Sequence, residues 1–397
     1  MARHYLDHAS TAPLRPEAAR AMVTWLTEGA GGGLAGADPG RMHTEGMSSR
    51  VALEEARADV AVLLGARTRE VVFTSGATES IATATWGALR RAEEGGRSRH
   101  VVLAAVEHSA VRLAAASFAA SLGGEVTTVG VDRVGRVDPD ELLAAVRPDT
   151  SLVHIQWGNH EVPTLQPVHE VVAACRERGV LVHVDAAQAV GRVPVDFGAL
   201  GADLLSASGH KFGGPPGAGV LLVRRGLRLE PLLQGGDQER ARRAGLENLP
   251  ALVGLGATAR ALQEPLAGGE ARLAVEERSS RALTRRLLDG LTSVDGIAAL
   301  GDTDDRGRLP HNVCVSIEGI EPQGVLLGLD QRGIAAHSGS ACSTESLEPS
   351  PVLEAMGVDA QRSLRLSVGW DTTDADVAAA LVAVPAVVDH LRGLAAR

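Results

Sequence analysis

LVHVDAAQAVGRVPVDFGALGADLLSASGHKFGGPPGAGVLLVRR, residues 181–225, decides the fold. It opens on one apolar run, LVHVDAA (181–187), and closes on another, GVLLVRR (219–225). Both read as strands, and the Gly- and Pro-rich SASGHKFGGPPGAG (206–219) reads as the turn between them. Asp185 ends the first run; Lys211 follows 26 residues later, beside Ser208 and His210. Taken alone, Asp185 reads equally as a loop or helix cap and as a buried carboxylate for a protonated ring nitrogen.

Working outward, further β-branched runs occur at VVFT (71–74), HVVLAAV (100–106), EVTTVGV (125–131) and SLVHIQW (151–157). Helical patterns such as LEEARADVAVLLG (53–65) and VHEVVAACRERG (168–179) separate them. Alternating strands and helices predict an α/β fold with a mostly parallel sheet and helices on both faces. Ligands in such folds sit at the carboxyl ends of the strands. Beyond residue 255 a helical stretch to about 293, broken near Gly268-Gly269, leads to a second α/β unit. That unit contains HNVCVSIEG, a helix over 322–332, IAAHSG, a helix near 351–356, RSLRLSVG and a final helix over 374–393. The expected organisation is a large domain over 16–260, and a smaller domain formed by 1–15 with 261–397. AGGGLAG (30–36) reads as a loop.

Of 39 basic residues, 38 are arginine and Lys211 is the single lysine. Drift toward arginine codons explains the majority; a surviving lysine marks a place where arginine cannot serve. Arginine stays protonated, whereas an amine can shed its proton and attack a carbonyl, which suits a Schiff base. The net charge of -10 and the 2% aromatic content argue against direct nucleic-acid binding. MARHYLDHAS has no apolar signal core, and no uninterrupted apolar run approaches a membrane span, so a cytoplasmic protein without membrane contact is expected. The three cysteines lack paired spacing, and neither disulfides nor a metal site is expected. Cys175 and Cys314 lie in apolar patterns and read as packed small hydrophobes, whereas Cys342 lies in HSGSACSTES, a polar segment suited to presenting a thiol.

FTSGATES (73–80) ends a strand with Ser75, Gly76, Ala77 and Thr78 and opens a helix, so that free backbone N–H groups and a hydroxyl could hold a phosphate, although Thr and Ser there also serve as plain caps. Together with YLDHAST (5–11), EHSAV (107–111), HVDAAQAVG, SGHKFGGPPG, GGDQER (235–240), HSGSACSTESLEPS (337–350) and SLRLSVG (363–369), it carries a resemblance. The chain resembles the cysteine desulfurases of the class V, fold-type I pyridoxal-phosphate enzymes, in the group with a long catalytic loop. The motifs span the chain in the family's order.

The resemblance implies a pyridoxal 5'-phosphate cofactor bound through Lys211, with Asp185 on the ring nitrogen and Gln188 on the ring hydroxyl. His108 would stack on the ring and move protons. Ala77, Thr78, Ser208 and His210 would hold the phosphate, with His160 nearby. Arg365 and Asn159 would bind the substrate, L-cysteine. Cys342 would accept its sulfur as a persulfide and hand it to an acceptor protein, in a homodimer. Three departures stand out. WGNHEVP places His160 where the family has a second Asn and Pro163 where it has Gly; Leu246 replaces the Thr of R-S-G-T; and Asp38-Pro39-Gly40-Arg41 replaces Asn-Pro-Ser-Ser, with His43 retained. Competing readings are a cysteine or selenocysteine β-lyase and a weakly active scaffold for sulfur transfer.

Overall fold

The computed structural model describes residues 3–28, 37–96, 98–338 and 349–395. The segments read as a Gly-rich loop and as the loop of Cys342 lie outside the described residues. A short strand β1 (His4–Tyr5) is followed by helices α1 (Pro16–Glu28) and α2 (Thr44–Leu63). Then come β2 (Val71–Thr74), α3 (Ala77–Glu94), β3 (His100–Ala104), α4 (Ser109–Ser121), β4 (Glu125–Val129) and α5 (Pro139–Ala145). β5 (Thr150–Gln156), α6 (Val168–Glu177), β6 (Leu181–Asp185), α7 (Phe197–Leu200), β7 (Leu204–Ser208) and β8 (Gly219–Val223) complete a sheet of order β2-β8-β7-β6-β5-β3-β4.

β3 through β7 pair in parallel, and β8 runs antiparallel between β2 and β7. Period-2 alternation sends successive side chains to opposite faces. Val102, Val153, Val182 and Leu205 enter one core, whereas Leu103, Leu152, Leu204 and Leu221 enter another beneath α3 and α4. Both faces are therefore covered, which is why the strands read as continuous apolar runs rather than alternating ones.

The remaining elements are a turn α8 (Gln238–Ala241), helices α9 (Leu249–Gln263) and α10 (Arg272–Thr292), strands β9 (Ile297–Leu300) and β10 (Asn312–Ile317), α11 (Pro322–Asp330), β11 (Ile334–Ala335), α12 (Pro351–Ala355), β12 (Ser363–Ser367) and α13 (Asp374–Ala395). β12-β10-β9 form an antiparallel sheet over a separate core of Leu283, Leu287, Val315, Leu366 and Val384. β1 pairs in parallel with β11, and Asp7 bridges to Ser367, so the N-terminal residues join the C-terminal sheet. By length and composition α13 would pass as a membrane span, but Val377, Ala380, Val384, Val387 and Val388 are buried in the small core against α10 and α11.

Two boundaries differ from the sequence reading. Ser206 to Ser208, read as part of a turn, complete β7, because a strand is needed between β6 and β8 and small side chains fit there. The connecting stretch breaks at Gly268 and Gly269, at φ 108° and 82°, as its sequence led one to expect, but its first half, α9, starts earlier, with Pro250 in its first turn.

Candidate active site

The strand alternation that fills the core beneath α3 also builds the site. Leu152, His154 and Gln156 share one face of β5, Leu181, His183 and Asp185 share that face of β6, and Leu204, Ser206 and Ser208 continue it on β7. Each series starts apolar and ends polar at the carboxyl edge. Here Gln156, Asp185 and Ser208 meet the start of α3 around a cavity of about 470 Å³, which Lys211, His108, His160, Gln188 and His210 also line.

α3 begins at Gly76, which supplies no side-chain cap. The N–H of Ser80 is the first to bond back, to the Gly76 carbonyl, so those of Ala77, Thr78 and Glu79 have no intrahelical acceptor. They and the helix dipole favour an anion. The backbone is crowded there: a Cβ at Gly219 would fall 2.4 Å from the Gly76 Cα, so β8 can start beside the helix only with glycine. Glu79 also lines the cavity: its carboxylate pairs with Arg243 at 2.9 Å and accepts from the Ser75 N–H at 2.9 Å, which leaves the N–H groups of Ala77 and Thr78 for a ligand.

Lys211 ends a 3-10 turn, Gly209–Lys211, after β7. Its Nζ donates to the carbonyls of Ala9 at 2.8 Å and Ser10 at 2.9 Å. Burial, joined by the charge of Arg365, pushes the amine down to about 8. The Asp185 carboxylate accepts from the Ala187 N–H at 3.0 Å and the Ser206 hydroxyl at 3.4 Å, and burial raises its pKa. A buried carboxylate with so little compensation suits a cationic partner in the cavity.

His108 caps α4: its Nδ1 accepts from the Ala110 N–H at 3.1 Å, which puts the neutral ring's proton on Nε2. Burial, then the charges of His160 and Lys211, push it down to about 3. His160 stands edge-to-face on it, with centroids 4.9 Å apart and planes at 74°. Gln188 donates to the Ala9 carbonyl at 2.9 Å and accepts from His311 Nε2 at 3.0 Å. His210 Nδ1 meets Thr11 Oγ1 at 3.1 Å.

Two expected substrate residues stand apart from the cavity wall. Arg365 is fully buried on β12 and donates to the His160 carbonyl at 2.7 Å, Asp7 at 2.7 Å and Ser10 Oγ at 2.6 Å; its Nε has no partner among the described residues. Asn159 differs from the sequence expectation. It spends its Nδ2 on the Val106 carbonyl at 2.9 Å and its Oδ1 on the N–H groups of Glu161 and Val162, so it braces the loop under His160 and offers nothing to a ligand. Leu246 is 57% exposed and lies outside the cavity. Cys342 is outside the described residues, while Cys175 and Cys314 are buried with thiols pushed up to about 11 and about 12 by burial.

Sequence reasoning missed Glu107 and Gln156. Glu107 is wholly buried, bonds the Gln156 N–H at 2.8 Å, and is pushed up to about 8 by burial and then by Asp185. The Glu-His pair ending an apolar strand was its only signal. Among the described residues no cluster of His, Cys, Asp and Glu is arranged to hold a metal.

A helix start with free N–H groups, a buried carboxylate with a raised pKa and a buried amine fit the three polar ends of pyridoxal phosphate, its phosphate, ring nitrogen and aldehyde. The aminotransferase class-V profile matches residues 4–380. The chain belongs to that family. It is 41% identical to the cysteine desulfurase IscS of Methanosarcina thermophila, over 98% of this chain and 93% of the relative. It is 40% identical to the IscS-like cysteine desulfurase of Mycobacterium tuberculosis, over 98% and 97%. Among solved structures, a NifS-like protein superposes with a TM-score of 0.86 at 31% identity, covering 98% of this chain and all of that one. SspA in complex with cysteine superposes with a TM-score of 0.77 at 30% identity, over 92% and 98%. This class-V membership extends the α/β architecture described above to a family that typically uses pyridoxal phosphate.

Proposed function

We propose that this class-V chain is a pyridoxal-phosphate-dependent cysteine desulfurase, converting L-cysteine to L-alanine and leaving the sulfur on Cys342. The observation that carries the reading is Lys211: the chain's single lysine has its amine in the same cavity as Asp185 and the open start of α3. Ala77, Thr78, Ser208 and His210 would hold the cofactor phosphate, Asp185 its ring nitrogen, Gln188 its ring hydroxyl and Lys211 its aldehyde, with His108 and His160 lining the same cavity. When bound, the cofactor supplies an electron sink for the pair left at the substrate Cα.

The chain's own groups do the rest. Arg365 orients the substrate carboxylate through a paired, planar contact, for which the carboxylate must replace Asp7 or Ser10 on the guanidinium. The Lys211 amine, pushed down to about 8, takes the substrate Cα proton and returns it, while His108, neutral with its proton on Nε2, donates a hydrogen bond from that atom on the cavity side. The Cys342 thiolate attacks the cysteine sulfur. An S–S bond forms as the Cβ–S bond breaks, its electron pair stays on carbon, and protonation there yields alanine and a persulfide on Cys342. A thiolate of an acceptor protein then takes the outer sulfur by exchange. Residues 16–260 act as the cofactor domain, and residues 1–15 with 261–397 as the domain of the sulfur-carrying loop. Met42, Met47 and Val51 at the start of α2 are exposed apolar side chains around one hollow, and they would supply apolar contact in a homodimer.

Incubating purified chain with L-cysteine, cofactor and a thiol reductant tests the reading. Alanine and sulfide in equal amounts are expected; pyruvate with ammonia would make the chain a β-lyase, and no product would leave a scaffold.

A further inference from the structure

Behind Lys211 lies a second buried cation. Arg192, in the turn after β6, is only 6% exposed. Its Nη2 donates to the Lys211 carbonyl at 2.8 Å, and its Nη1 reaches the Val368 carbonyl, just past β12, at 3.4 Å. One side chain thus ties the lysine turn to the C-terminal sheet. No carboxylate pairs with it among the described residues; Glu276 and Asp371 act on it only through space, and Arg15 opposes them. A buried guanidinium without a counter-ion is costly. Its charge also falls on its neighbours, lowering His8 and His311 as well as Lys211.

We propose that Arg192 is a positioning residue for the reaction: its guanidinium holds the Gly209–Lys211 turn by the Lys211 carbonyl and ties it to the end of β12 at the Val368 carbonyl, which fixes where the Lys211 amine stands. Its unpaired charge beside that amine acts in the same direction as that of Arg365. An amine that must attack a carbonyl needs its lone pair. The other charged or titratable groups facing Lys211 are Asp185 from β6, Asp7 from the N-terminal segment, Arg365 from β12, His210 in its own turn, His108 at the start of α4 and His311 before β10. Asp185 and Asp7 favour the protonated amine; Arg365 and Arg192 oppose it from two sides. The inference rests on Lys211 being the residue that bears the cofactor.

The single lysine makes a direct test possible. The full-length chain, freed of cofactor, is reductively methylated with formaldehyde and an amine-borane across pH 6 to 10, and methylation of the Lys211 peptide is measured by mass spectrometry. Removing the charge in Arg192→Gln should move the midpoint up by about 0.3 to 0.5 pH unit, so that Lys211 methylation at pH 7 slows about two- to threefold. Arg192→Lys, which keeps the charge, should stay near the parent midpoint. If the glutamine variant does not fold, Arg192→Met, of similar length, carries the same expectation. A parent-like midpoint without the charge, or equal shifts in the glutamine and lysine variants, would overturn the proposal. Failure of borohydride to fix pyridoxal phosphate on Lys211 would instead overturn the reading on which it rests.

Discussion

The Lys211 amine donates to the Ala9 carbonyl at 2.8 Å, across 202 residues of chain. That bond draws the N-terminal segment 7–12 into the site. Ala9 also accepts from Gln188, Ser10 joins Asp7 and Arg365, and Ala12 donates its N–H to the His210 carbonyl. The segment is thus a strap between the lysine turn of the large sheet and β12 of the small one.

Borohydride treatment of the cofactor-loaded protein should leave one pyridoxyl group per chain, on the peptide that contains Lys211. Lys211→Arg keeps a cation for the strap carbonyls, so the fold should persist while fixation is lost. Turnover should fall by about 10² to 10⁴-fold, as for removal of a positioned proton-transfer group. Absorbance after reduction and peptide mass report the first result, and alanine release the second.

Arg365→Ala should weaken both binding and folding, and the two separate. Truncation strands Asp7 and the Ser10 hydroxyl, both partly buried, which costs about 1–3 kcal/mol. Denaturant unfolding measures that. Arg365→Lys keeps the charge but loses the planar fork, so KM for cysteine should rise about tenfold or more with a much smaller loss of stability. Unchanged KM in the lysine variant would show that the substrate carboxylate binds elsewhere.

The strand-end placement of Asp185 and the lysine turn were legible in the sequence because an apolar run ending in a carboxylate can bury its strand only by leaving that carboxylate at the edge. What the strap does was not. YLDHAST stood out as a motif, but nothing local in it tells that the Ala9 and Ser10 carbonyls, rather than side chains, meet Lys211. Asn159, given a substrate role only by the family resemblance, has its amide committed to Val106, Glu161 and Val162 in the turn it sits in, which no local sequence signal reveals. Arg192 was hidden among 38 arginines, since only three-dimensional placement distinguishes a buried cation from a surface one.

Cys342→Ala should abolish alanine and sulfide formation from L-cysteine while leaving the visible cofactor band and its fixation to Lys211 intact. Cys175→Ser and Cys314→Ser should keep activity and instead lower stability by about 1–3 kcal/mol, because both thiols are packed in cores and a hydroxyl there is buried without its hydrogen bonds. Sulfide release assayed beside thermal unfolding separates the two outcomes. Full turnover by Cys342→Ala would refute the persulfide step.

Acid should destabilise the protein earlier than its carboxylates alone would. His154 and His183 face each other across β5 and β6 with Nδ1 atoms 2.9 Å apart, both fully buried, and burial pushes His154 down to about 3 and His183 well below its ordinary value. One ring donates and the other accepts, so protonating both breaks the pair. In the unfolded chain each takes up a proton near its ordinary pKa of about 6.5. The folded values are depressed, so the unfolded state binds more protons between these limits. This contribution is therefore complete above about pH 6.5 and is lost as pH falls toward 3, at up to about 1.4 kcal/mol per pH unit for each ring. Tm should fall from pH 7 to pH 5, and His154→Gln, which keeps a polar partner for His183 but cannot ionise, should flatten the slope by about one proton. A Tm that stays level over that range in the parent chain would show that these rings do not resist protonation.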